Sequence, residues 1–101
     1  MFPENIKNFA ITLTKKTEDG EFSWLYDDDN ANVQLQTKDF TVSLRYSFNS
    51  EEEHGEFVLF YFDEKDNKEY RFYTNQRWND YDIARRLYDV AQSSGLTLPF
   101  L

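Results

Sequence analysis

At 101 residues the chain has the length of one domain. Nineteen Asp and Glu against eleven Lys and Arg leave a formal net charge of −8, which disfavours phosphate backbones and anionic lipid surfaces, so neither direct nucleic-acid nor membrane binding is expected. The absence of cysteine removes disulfides, thiolate metal sites and thiol nucleophiles, while ten Phe, seven Tyr and two Trp are too many for a disordered acidic tail.

The N-terminus, Met1 to Ile6, carries no basic region followed by an apolar run, and no stretch approaches the ~18 apolar residues of a membrane span. A cytoplasmic single domain over residues 1–101 is the expectation. Phe9 to Thr14 alternates apolar and polar residues, and Phe22 to Tyr26 resumes the pattern after Asp19-Gly20. Asp-Gly between two alternating runs is the strongest short-range hairpin signal, because a primed turn needs positive φ. The pattern therefore predicts two strands joined at Gly20. A third follows at Asn32–Gln36, and a fourth runs from Phe40 to Phe48, with Thr41, Ser43, Arg45 and Ser47 on its wet face.

The run Phe57–Phe62 is apolar at every position, so both faces of that strand need cover. A sixth strand, Glu69–Thr74, is amphipathic. Only after Thr74 does the period change from two to 3.6. With Asn79 as N-cap and Asp82 at N3, Ile83, Ala84, Leu87, Tyr88, Val90 and Ala91 share one face of a helix. The opposite face holds Asp82, Arg85, Arg86, Asp89, Gln92 and Ser93, with Asp82–Arg86 and Arg85–Asp89 spaced for ion pairing. Gly95 is placed at C′, and the apolar tail Leu96–Leu101 is expected to dock. The predicted class is α+β: an antiparallel meander of about six strands, open or curled into a partial barrel, followed by one C-terminal helix packed on it.

Acid is unevenly placed. Residues 17–37 hold six acids and no base, residues 46–64 again six and none, and residues 65–101 six bases against five acids. Asp27, Asp28 and Asp29 offer hard-cation oxygens, but Ala31 and Asn32 stand where a calcium-binding loop of the EF-hand type needs an oxygen ligand and Gly. Glu51, Glu52 and Glu53 precede the single histidine, His54, which has no second histidine for a metal site and no nucleophile in a recognisable arrangement. No metal, cofactor or catalytic residue is assigned. Both acidic runs are instead read as partner-binding patches, on a non-enzymatic domain of inhibitor, immunity or adaptor type that binds a basic protein surface.

The aromatic residues support an alternative, a small-ligand-binding β domain with Trp24, Trp78 and the tyrosines around a pocket. If Leu59, Tyr61, Tyr70 and Phe72 pack under the helix, then Val58, Phe60, Phe62 and Tyr73 face the other way. One helix cannot cover both sides, so those four residues are assigned to a homodimer interface unless the sheet curls over them.

Overall fold

A computed structural model describes residues 1–96 and Pro99. Within them the order is α1 (Glu4–Glu18), β1 (Leu25–Asp27), β2 (Asn32–Gln36), β3 (Phe40–Asn49), β4 (His54–Asp63), β5 (Lys68–Asn75) and α2 (Tyr81–Ser93). The class is α+β, and the sheet is an antiparallel meander in sequence order, β1 to β5. It has five strands where six were expected, and two helices where one was expected. The sheet is open: β1 and β5 are its edges, so no barrel forms.

The extra helix replaces the predicted first strand. Phe9–Thr14 lies inside α1, whose buried positions are Ala10, Leu13, Thr14 and Thr17, spaced three and four apart. Two of these are threonines, and their polarity conceals the stripe. Each threonine satisfies its hydroxyl by donating to the carbonyl four residues back, Thr14 to Ala10 at 2.8 Å and Thr17 to Leu13 at 2.7 Å. Ile11, which made the alternation look strand-like, is 50% exposed. The Asp19-Gly20 pair ends this helix instead of turning a hairpin. Gly20 takes φ +83°, its N–H donates to the Thr17 carbonyl, and the Glu21 N–H donates to that of Lys16, which is a Schellman ending.

Register follows the predicted alternation in β3: Val42, Leu44 and Tyr46 pair with Tyr61, Leu59 and Phe57 of β4. Leu59 and Tyr61 pair in turn with Phe72 and Tyr70 of β5. Apart from Tyr70, which is 43% exposed, these side chains share one core with the buried Ala84, Leu87 and Ala91 of α2, with Phe9 of α1 set edge-on to Phe40 and Tyr61. Both helices thus lie on one face of the sheet.

The termini of α2 differ from expectation. Asp80, not Asn79, is the N-cap residue, and its side chain makes no cap bond. Instead the buried Asp80 carboxylate accepts from the Phe2 N–H at 2.6 Å and from the Thr74 hydroxyl, tying the chain start to β5 and α2. With the N-cap at Asp80, Trp78 stands two residues before it and is 46% exposed. At the other end Gly95 is not left-handed; Gly20 alone among the described glycines has positive φ. The helix closes through Ser94, whose hydroxyl donates to the Ala91 carbonyl and accepts from the Trp24 N–H, with Gly95 close against the Trp24 carbonyl. Arg85 pairs with Asp89 as expected, but Arg86 reaches Glu18 of α1 at 3.3 Å instead of Asp82. Leu96 is exposed, and the rest of the tail, Pro99 aside, lies outside the described residues. No described helix is long and apolar enough to cross a membrane.

Candidate functional site

In a meander, alternate turns leave the same end of the sheet. The β1–β2 turn carrying Asp28 and Asp29, the β3–β4 turn carrying Glu51 to Glu53, and the segment from β5 to α2 all share one end. All six acids, Asp27, Asp28, Asp29, Glu51, Glu52 and Glu53, are exposed there. The opposite end mixes Lys38, Lys65 and Lys68 with Asp39, Asp63, Glu64 and Asp66. Strand direction therefore converts two separated acidic runs into one acidic end.

Each acidic turn is internally braced. The Asn30 amide donates to Asp27 at 2.6 Å and holds its carboxyl below the usual range, and Ala31 takes φ +48°. The Asn49 side-chain Oδ1 accepts from the Glu51 and Glu52 N–H groups, while Glu53 takes φ +56°. Arg77 ion-pairs with Glu52. His54 is the buried first residue of β4. Its Nε2 lies 3.4 Å from Glu52 and its Nδ1 3.8 Å from Glu56, and Nδ1 has no hydrogen-bond partner. The two carboxylates sit at opposite nitrogens, so they cannot converge on one ion. Among the described residues no cluster of three His, Asp or Glu side chains is arranged to hold a metal.

Val58, Phe60, Phe62 and Tyr73 all fall on the face away from both helices: Val58 pairs with Tyr73 and with Arg45, and Phe60 with Arg71. No described helix or strand covers this face. The guanidinium groups of Arg45 and Arg71 lie 5.8 and 5.3 Å from the Phe60 ring centre, so the aromatic stripe is shielded in part by cations.

Trp24 and Trp78, placed around a pocket in the small-ligand alternative, line neither of two clefts in the surface. Trp24 is in the core, its indole N–H donating to the Thr17 hydroxyl at 2.9 Å, and Trp78 lies on the surface. Both clefts are open. A groove of about 650 Å³ between α1 and α2 is flanked by Ile11, Ile83, Lys15, Glu18, Asp82 and Arg86. A smaller cleft of about 270 Å³ lies between Tyr46, Phe57, Tyr81, Arg85, Tyr88 and Asp89. The second was not singled out from sequence. Its signal was present, since Tyr81, Arg85 and Tyr88 are spaced four and three apart at the margin of the α2 apolar face.

No family model matches this chain, and neither a curated protein nor a solved structure does.

Proposed function

We propose that the protein is a non-enzymatic interaction domain that binds a basic partner surface stoichiometrically, as inhibitor, immunity and adaptor proteins do. The observation supporting this reading is the convergence of Asp27–Asp29 and Glu51–Glu53 at one end of the sheet, beside an opposite end of mixed charge. A predominantly acidic end steers a partner of opposite sign and fixes its orientation, through a field that salt screens over about 10 Å at 0.1 M. A cytoplasmic setting belongs to the same reading, and the cysteine-free composition is compatible with it. The small-ligand alternative has less support, because both clefts are open instead of enclosed by the core.

The test is affinity capture from the native host's lysate at low salt, with the wild type and with a variant carrying Asn at Asp27, Asp28 and Asp29 and Gln at Glu51, Glu52 and Glu53. One basic protein should be retained by the wild type, released by salt and lost with the folded variant. Equal retention by both proteins overturns the proposal.

The uncovered sheet face favours a second reading, pairing of two copies through Val58, Phe60, Phe62 and Tyr73. Arg45 and Arg71 share that face with Asp27, Glu56 and Glu69, so it offers both signs of charge to a copy of itself.

A further inference from the structure

The smaller cleft has an architecture that its volume alone does not convey. Phe57 forms its floor, buried to 2% exposure, and three tyrosines stand around that ring at centre-to-centre distances of 5.2 Å (Tyr46), 5.3 Å (Tyr81) and 5.5 Å (Tyr88). The rings are tilted by 59°, 47° and 51° to Phe57 instead of stacked on it, and with it they line the open cleft of about 270 Å³. Gly55 permits this arrangement. A Cβ on it would come within 2.7 Å of the Tyr81 hydroxyl oxygen and 2.9 Å of the Tyr46 ring, so the two phenols close over bare backbone.

The charges around the cleft are predominantly negative. Asp89 lines it, Asp82 stands two turns before Asp89 on α2, and Asp28 is connected through Tyr26, whose phenol donates to Asp28 at 2.8 Å and whose ring meets Tyr88 edge-on at 6.4 Å. The resident cation, Arg85, is neutralised by Asp82 at 3.6 Å and Asp89 at 3.8 Å. Aromatic faces and carboxylates both favour positive charge, the first through the ring quadrupole and the second through its field. The shape discriminates between cations. A guanidinium is flat and stacks on one ring, whereas an open cleft lined by rings at different tilts offers a compact, rounded ammonium more than one ring to meet. The cleft lies toward the acidic end of the sheet: Tyr46 is tied to the β1–β2 turn by its N–H to the Ala31 carbonyl, and Tyr81 begins α2 at that end.

We propose that Tyr46, Phe57, Tyr81 and Tyr88, with Asp89 at the rim, form an aromatic cage that receives the ammonium end of a lysine side chain from the basic partner, preferring it N-methylated. The inference rests on the reading of the protein as a domain that binds a basic surface, and adds to it the side chain that the surface must present. N-methylation strengthens binding because it removes the hydration of the ammonium without removing its charge.

Three probes decide it, each titrated into the isotope-labelled protein while backbone amide resonances are followed: N-acetyl-trimethyllysine amide, its uncharged tert-butyl isostere, and choline. The trimethyllysine probe should shift Gly55, Tyr81, Tyr88 and Asp89, and should bind about fivefold or more tighter than the isostere. Asp89→Asn should weaken it and Arg85→Ala should strengthen it; both residues are exposed on the α2 surface, so neither change threatens the fold. Equal binding of charged and uncharged probes, or shifts confined to other residues, overturns the cage. Choline binding as tightly as trimethyllysine overturns the assignment to a lysine side chain. Because these probes need no partner, failure here is distinct from failure of the capture experiment.

Discussion

Thr17 illustrates how one side chain can hide a structural role. Its hydroxyl donates to the Leu13 carbonyl and accepts from the Trp24 indole, so a polar residue is fully satisfied while it joins α1 to the core. Asp80 does the same for the chain start and β5. Neither role is legible in sequence, because the partners are 7 and 78 residues away and nothing local marks them. Tyr26 makes a pairing that can be measured. The Asp28 carboxylate accepting its phenol pushes it up from 10.0 to about 12, and burial raises Tyr61, Tyr81 and Tyr88. A phenol whose pKa is raised on folding contributes its full stabilisation below the unfolded value, and that contribution is lost as pH climbs through the folded value. Urea stability should therefore hold up to about pH 10 and fall between there and about 12. In a spectrophotometric titration of tyrosinate, Tyr26→Phe should delete the last phenol to ionise. Loss of an early-titrating phenol instead would mean that Tyr26 is free of Asp28.

At the scale of elements, β2, most of β3 and the faces of α2 were readable because periodicity coincides with burial there, whereas β5 exposes Tyr70 and buries the consecutive Thr74 and Asn75. Ile83, Ala84, Leu87, Tyr88, Val90 and Ala91 all turn inward to some degree, and the six residues of the polar face are all exposed. The first element was misread for a physical reason. Phe9, Ile11 and Leu13 alternate as a strand would, while the true stripe, Ala10, Leu13, Thr14 and Thr17, is built from a small residue and two threonines that carry little hydrophobic signal. Asp19-Gly20 added to the error, since a left-handed Gly serves a Schellman ending as well as a hairpin. The acidic runs were legible as composition, whereas their convergence needed the strand count between them. One comparison separates helix from strand. In a strand Ile11 and Leu13 share a face and truncation would cost similar amounts; in α1 Leu13 is buried and Ile11 half-exposed. Leu13→Ala should destabilise by about 2–5 kcal/mol and Ile11→Ala by about 1 kcal/mol or less, measured by urea denaturation. Equal losses would return Phe9–Thr14 to a strand.

For the whole molecule, the decisive asymmetry is that both helices cover the same face of a five-stranded sheet. The other face keeps Val58, Phe60, Phe62 and Tyr73 in a contiguous group across β4 and β5, because Val58 pairs with Tyr73 while Phe60 and Phe62 follow at alternate positions. The open edges at β1 and β5 rule out curling as the means of covering them. Arg45 and Arg71 over Phe60 reduce the exposed ring but do not enclose it, and both remain exposed themselves. If two copies pair through this face, a two-fold arrangement brings each patch against itself and sets arginines of one copy near acids of the other. The net charge of −8 opposes open-ended growth, so the closed dimer is the expected product. Sedimentation equilibrium at about 50 μM should then give a dimer for the wild type and a monomer for Phe60→Glu, with unchanged circular dichroism. The substitution sits on the face away from the core, so it removes the contact without opening the layer between sheet and helices. A monomeric wild type would leave the arginines as sufficient cover for the stripe, and a dimeric Phe60→Glu would place the contact elsewhere on the molecule.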